Sequence, residues 1–214
     1  MAGANQPKGA KRQRGKFITL EGVDGAGKSS HIAWIADRLR QGGREVAVTR
    51  EPGGTPFAEK LRRLVLAEPM DPLSETMLMF AARADHVHKV ILPALGRGTW
   101  IVCDRFTDAT LAYQGAGKGV PRELILDLAK AVHDGLAPDR TLVFDCPYEI
   151  SRQRLGASGR SLDRFESEER AFFDRVRSAY RELARKAPER IRVIDGSKVL
   201  KEVKADLEKN ISDL

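Results

Sequence analysis

Cysteine, histidine and asparagine are scarce in this chain of 214 residues, and each shortage excludes something. The only thiols are Cys103 and Cys146. Each ends a short apolar run, which excludes a disulfide scaffold and predicts two small buried thiols in a reducing compartment. Four scattered histidines, without CxxC or HExxH spacing, assemble no structural zinc site. No apolar run approaches the ~20 residues that span a bilayer, so a soluble, cytoplasmic protein without a membrane partner is expected. Asn5 and Asn210 are the only asparagines, so the NKxD motif with which GTPases read their base is missing.

The net charge is +7, but it is unevenly spread. Lys8, Lys11, Arg12, Arg14 and Lys16 lie in the first 16 residues without a single acid, which leaves only +2 for the remainder. A Gly/Ala/Lys/Arg segment without apolar periodicity reads as a disordered basic tail over residues 1–15. It lacks the apolar stretch of a secretory leader. With a nearly neutral body behind it, nucleic acid is not an expected partner. Residues 16–214 form one domain, long enough to bury roughly 70% of its unfolded surface.

From Phe17 onward, short apolar runs alternate with helical spacing. Strands are predicted at 17–21, 45–50, 100–104, 141–146 and 191–195. Helices are predicted at 29–39, 57–66, 73–95, 124–132, 148–155, 166–186 and 199–207. Strands separated by helices imply βαβ units, hence an α/β fold with a five-stranded parallel sheet covered on both faces.

The strongest motif is Gly22-Val23-Asp24-Gly25-Ala26-Gly27-Lys28-Ser29, which fits GxxxxGK[ST] between a predicted strand and a predicted helix. Glycines let backbone N–H groups converge on phosphate oxygens, and the helix N-terminus adds a favourable dipole. Residues Gly22 to Ser30 are therefore the expected ATP-binding segment. Lys28 would bridge the β- and γ-phosphates and Ser29 would ligate Mg²⁺. The absent base-reading motif disfavours a GTPase, and the length suits a small phosphotransferase of the P-loop NTPase three-layer fold.

Three further segments carry dense polar groups beside apolar runs: Thr49-Arg-Glu-Pro-Gly-Gly-Thr55 with Ala58-Glu-Lys-Leu-Arg62, then Met79-Phe-Ala-Ala-Arg83, then Asp104-Arg-Phe-Thr-Asp-Ala-Thr-Leu-Ala-Tyr-Gln-Gly115. Asp104 and Arg105 stand at the carboxyl end of a strand, where open α/β sheets bind ligands, and guanidinium forks suit phosphate oxygens. Without further information, Arg62 and Arg83 would read as solvated helix faces, Tyr113 as core, and Asp104–Arg105 as a structural ion pair.

Together with the phosphate loop, these segments closely resemble the thymidylate kinase family, from about Phe17 to the C-terminus. The REPGGT and DR-aromatic…AYQ segments single this family out among nucleoside monophosphate kinases. The resemblance implies phosphorylation of dTMP to dTDP with ATP and Mg²⁺, and a homodimer to which the apolar stretch from Met77 to Leu95 would contribute a face. It implies that Asp24 touches the acceptor sugar and the metal region. It sets Arg50, Arg62 and Arg105 around the acceptor phosphate, Arg83 at the thymine carbonyl, and Thr110 and Gln114 at the pyrimidine edge. Tyr113 would pack under the sugar, and Asp104 would join Ser29 in organising the metal. Two departures stand out. Ala109 replaces a common serine. The position of the base-stacking ring holds Met79, so Phe80, one residue later, is expected to stack, with the Met79 thioether as the alternative packing face.

Residues 151–166 gather Arg152, Arg154, Arg160 and Arg164 around a Gly/Ser stretch. The resemblance makes this a lid over ATP, with Arg152 left as a surface residue. Because the phosphate loop has no arginine, Arg154, Arg160 and Arg164 are assigned as a group to the transferring phosphate, with Lys28 and Arg105 as the other catalytic cations. Two alternatives are weighed. One is a kinase for another nucleoside monophosphate or a deoxynucleoside, with Glu21 or Asp24 as base. The other is a nucleotide-dependent nucleic-acid-binding switch that uses the tail.

Overall fold

The computed structural model describes residues 13–157, 159, 161 and 163–214. Strand β1 (Phe17–Gly22) is buried at every residue. On either side of it lie β3 (Trp100–Asp104) and β4 (Arg140–Asp145), with β2 (Val46–Arg50) and β5 (Ile191–Asp195) at the edges, so the order is β2-β3-β1-β4-β5. All four pairings are parallel, with Phe17 opposite Ile101 and Ile18 opposite Arg140. The edges are only half covered: Val48 is 47% exposed and Val193 48%.

Successive strand residues point to opposite faces, and two cores follow from that alternation. Ile18, Leu20, Val102, Leu142 and Phe144 pack on one face, against α1 (Ser29–Gln41), α8 (Arg170–Lys186) and α9 (Leu200–Ile211). Phe17, Ile101 and Cys103 pack on the other, against the stretch that runs from α3 (Pro72–His86) into α4 (Leu92–Gly96). Both cysteines are free and buried. The remaining helices are α2 (Pro56–Ala67), α5 (Thr107–Thr110), α6 (Arg122–His133) and α7 (Tyr148–Ala157).

Four segments differ from expectation. The single helix expected at 73–95 has a π-helical turn at Val87–Ile91. Pro93 lies in the first turn of α4 and has no N–H to give to the preceding turn. The polar segment after β3 is helical, α5 followed by a π turn at Leu111–Gly117. The helix expected from Glu166 begins at Arg170. Upstream of it, the Asp163 carboxylate accepts from the N–H groups of Phe165 and Glu166 and holds a local turn. Of the tail expected at 1–15, the last residues are held by the body of the protein. Residues 1–12 lie outside the described residues, but the Gly15 N–H donates to Leu95 O at 2.9 Å, and Arg14 and Lys16 pair with Asp139.

β2 and β3 lie on one side of β1 while β4 and β5 lie on the other. The order of the strands therefore reverses at the centre of the sheet, and at such a point the carboxyl ends open a ligand crevice.

Candidate active site

β1 delivers the phosphate loop into that crevice. Gly22 has φ +125°, and a Cβ there would meet Phe144 O at 2.2 Å, so only glycine turns the chain this close to β4. Lys28 is buried and folds back over the loop, donating to Gly22 O and Val23 O, both at 2.9 Å. Burial and the neighbouring Arg105 lower its pKa against the pull of Asp24.

Two adjoining cavities open at this end of the sheet. The larger is lined by the phosphate loop from Asp24 to Ser30, with His31, Asp104, Arg154 and Lys198. The smaller lies between α3 and the helical segment that follows β3. Asp24, Arg62, Arg105 and Asp163 line both, so an occupant of one lies beside an occupant of the other.

Arg105 stands at this junction in an unusual backbone state. Its φ is +69°, the left-handed region that non-glycine residues rarely adopt. The surroundings hold it there. The Phe106 N–H donates to Glu21 Oε1 at 2.7 Å, and Arg105 N–H to Leu20 O at 2.9 Å. The guanidinium donates to Gly22 O (3.0 Å), Tyr180 Oη (3.3 Å), Asp24 Oδ1 (2.6 Å) and Tyr113 Oη (3.0 Å). Tyr113 donates in turn to Asp24 Oδ2 at 2.7 Å. Burial raises the Asp24 carboxyl, but Arg105 and Lys28 outweigh it and hold the group below its usual range. Glu21, one layer deeper, is fully buried and pushed up to about 8 by desolvation and by Asp108.

The far wall of the smaller cavity is built on α3. Arg83, 3% exposed, donates from Nε to Glu51 Oε2 at 2.6 Å and from Nη2 to Thr110 Oγ1 at 3.0 Å. Its Nη1 is buried without a partner among the described residues. Burial raises Glu51, yet Arg83 and His86 hold it below the usual carboxylate range. Gln114 donates from Nε2 to Glu75 Oε1 at 2.7 Å. Met79, Ala109, Thr110, Tyr113 and Gln114 all line this cavity.

Several expectations need correction. Phe80 lies away from the cavity. It packs with Val120, Ile125 and Ala129 beneath α6 and is 2% exposed; its ring faces the Arg83 guanidinium at 4.7 Å. One residue on a helix is a rotation of about 100°, so Met79 takes the cavity side. Arg50 lines neither cavity; its side chain is 53% exposed and its guanidinium forms a bidentate pair with Glu59. Arg62 does reach the junction, donating to Pro52 O at 3.2 Å. The lid arginines separate. Arg154 lies over the phosphate loop, 3.3 Å from Ala26 O. Arg164 lines neither of these two cavities and docks on Val65 O and the buried Glu75 instead. Arg160 lies outside the described residues.

Glu51, Glu75 and Asp163 are not among the residues expected from sequence. Glu51 sits within the REPGGT segment, a visible signal. Glu75 is a single acid on a helix and gave none.

Mg²⁺ can be tested against the donors present. Asp104 Oδ1 is buried without a partner among the described residues, beside the cavity that also holds Ser29. A lone carboxylate oxygen and a hydroxyl next to a phosphate cradle suit a hard cation that takes one or two protein oxygens and completes its shell with phosphate and water. The residues fit.

Comparison with known proteins agrees with this geometry. The sequence profile described as thymidylate kinase matches residues 20–207. The chain is similar to the thymidylate kinase of Bordetella pertussis, 57% identical over 201 residues that cover 94% of this chain and 96% of that protein. The Nitrosomonas eutropha thymidylate kinase is 57% identical over 194 residues, 90% of each chain. A crystal structure of thymidylate kinase from Ehrlichia chaffeensis superposes with a TM-score of 0.76 at 34% identity, covering 93% of this chain and 99% of that one. The phosphate loop and the acceptor wall fall inside the matched region, and on that extent of likeness the chain belongs to the thymidylate kinase family.

Proposed function

We infer that the chain phosphorylates dTMP to dTDP with ATP, by direct in-line transfer of the γ-phosphoryl group. ATP occupies the larger cavity with its phosphates on Gly22 to Ser30, and dTMP the smaller one. The observation that carries the reading is the junction: two adjoining cavities meet at Arg105 and Arg62, so two phosphates would meet between cations.

The acceptor phosphate has a second pKa of about 6 and is largely dianionic at neutral pH. It is already a nucleophile, so the site needs no general base. It must overcome repulsion between two anions, and Lys28, Arg62, Arg105 and Arg154 supply the positive charge. Positioning and fixed electrostatics then account for most of the acceleration. Ser29 and Asp104 would hold Mg²⁺, which when bound neutralises phosphate charge. Asp24 and Tyr113 form the wall under the acceptor sugar. Arg83 offers its unpaired Nη1 to a base carbonyl, Thr110 and Gln114 stand beside it, and Met79 supplies a polarizable face for the ring.

A deoxynucleoside acceptor would need a base for its hydroxyl. Glu21 is buried against Phe106 N and Tyr180 Oη, and Asp24 is held by Arg105 and Tyr113, so neither carboxylate is free for that work. Exposed Phe57, Leu64, Leu73, Met77 and Leu92 on α2 to α4 support a homodimer through this side of the molecule. Among the described residues no helix is long and apolar enough to cross a membrane, and the two free buried thiols fit a reducing compartment such as the cytoplasm.

The test is a coupled assay with ATP, Mg²⁺ and a panel of acceptors. Turnover of dTMP to dTDP with ADP release is expected. Inert dTMP beside an active purine monophosphate or deoxynucleoside would overturn the assignment.

A further inference from the structure

Glu75 has no place in the phosphoryl-transfer scheme, yet it is a fully buried acid on α3 with three donors aimed at it. Gln114 Nε2 lies 2.7 Å from Oε1. Lys118 Nζ lies 2.9 Å from Oε2, and Arg164 Nη2 contacts the same oxygen. Its side chain is 0% exposed.

A carboxylate facing an ammonium and a guanidinium only accepts hydrogen bonds. The Gln114 amide can therefore lie one way round. A flipped amide would set two oxygens against each other at hydrogen-bond distance in a buried site, an arrangement that wastes both groups. Nε2 is committed to Glu75, so Oε1 is left for the cavity, and it has no protein partner among the described residues. Nearby Arg83 Nη1 is a buried donor without a partner. The wall thus shows a bare acceptor and a bare donor.

We propose that Glu75 is a specificity-determining positioning residue: by fixing Gln114 with its oxygen toward the cavity, it makes the site accept a pyrimidine that donates at N3 and reject one that does not. Thymine and uracil carry a proton on N3 and an oxygen at C4. Cytosine has a lone pair on N3 and an amino group at C4, so it would set acceptor against acceptor and donor against donor. The proposal rests on the assignment of the smaller cavity to the acceptor base. Arg164 brings the lid onto the same carboxylate, so the base wall and the lid share one anchor.

The test compares kcat/KM for dTMP and dCMP in the full chain and in Glu75→Gln. A glutamine at 75 can donate as well as accept, so Gln114 is free to turn. The dTMP value should fall while the dCMP value holds or rises, lowering the dTMP/dCMP ratio by about tenfold or more, the scale of one mispaired buried hydrogen-bonding group. A parallel fall in both, with the ratio unchanged, overturns the proposal and leaves Glu75 a structural residue. If Glu75→Gln fails to fold, Glu75→Gln/Lys118→Met removes one cation with the anion it faced and should show the same ratio change. Arg164→Met keeps the Glu75–Gln114 bond and should keep the ratio within about threefold; a collapse there would place discrimination in the lid and refute the role of Gln114 orientation. A wild-type ratio near one would instead overturn the acceptor-base reading beneath the proposal.

Discussion

Arg105 Nη2 lies 2.6 Å from Asp24 Oδ1, which joins the end of β3 to the phosphate loop through one ion pair at the seam between the two cavities. The pair is partly enclosed, with side-chain exposures of 17% and 27%, and Tyr113 closes the triangle by donating to the other carboxylate oxygen. Asp24→Asn keeps the shape and removes the charge. A charge-assisted bond of this kind is worth about 1.5–3 kcal/mol, so kcat/KM for dTMP should fall roughly 10- to 150-fold, with a much smaller change in ATP KM. Steady-state kinetics with each substrate varied in turn read the two effects separately.

Arg83 and Glu51 form a buried pair, 3% exposed on both sides. Arg83→Ala should weaken dTMP binding more than ATP binding, since its free Nη1 serves only the smaller cavity. It also leaves Glu51 buried with only His86 as a side-chain partner, and breaking such a pair costs about 3–5 kcal/mol. Urea unfolding measures the second effect; a variant as stable as the parent would contradict the pairing.

Glu21 gives a pH signature. Its folded pKa is raised from 4.5 to about 8, so the folded state holds a proton that the unfolded chain releases. That contribution is fully present below about 4.5 and is lost as pH rises toward about 8. Glu21→Gln mimics the protonated group and should flatten this part of the stability–pH curve, measured by denaturant titration at several pH values. Glu51 acts in the opposite sense: its lowered pKa contributes stability above the usual glutamate range and loses it as pH falls through the depressed folded value.

The lid arginines should separate kinetically. Arg154 lies over the phosphate loop, and an arginine at a transferring phosphate can be worth about 10³–10⁵ in rate. Arg154→Ala should depress kcat by at least about 10² while leaving dTMP KM within a few-fold. Arg164→Ala acts from a different place, against Glu75 and Val65, and should cost kcat far less. Equal losses in kcat would contradict this division.

Asp104→Asn removes the anion expected beside Ser29. The Mg²⁺ concentration for half-maximal activity should rise about tenfold or more, with dTMP KM little changed. A Mg²⁺ titration at saturating substrates reads it directly.

What could be read from sequence follows from how local each feature is. The phosphate loop is contiguous and backbone-built, so Gly22 to Ser29 declare themselves without tertiary context. The five strands are short apolar runs, buried on both faces at the centre of the sheet, and they too are visible. Resemblance brought Arg83, Arg105, Tyr113 and Gln114 to one pocket, and the fold assembles them there. Phe80 and Met79 could not be separated by pattern, because both are apolar and one helical step decides which faces the cavity. Arg164 was grouped with Arg154 by composition, although the Asp163 turn sends it to Glu75. Glu75 itself was illegible: its partners Gln114, Lys118 and Arg164 lie about 40 to 90 residues away in sequence. The π turns around Val87 and Leu111 were hidden for a similar reason, since a one-residue widening leaves the helical pattern almost unchanged.

The central claim is that fixed cations hold the phosphates of ATP and dTMP face to face. A crystal structure with dTMP and a non-hydrolysable ATP analogue tests it most directly. The account predicts the thymine between Met79 and the Arg83–Gln114 wall, the acceptor phosphate within hydrogen-bond reach of Arg105, and the triphosphate on residues Gly22 to Ser30. A dTMP molecule bound away from Arg83, Arg105 and Thr110 would contradict it.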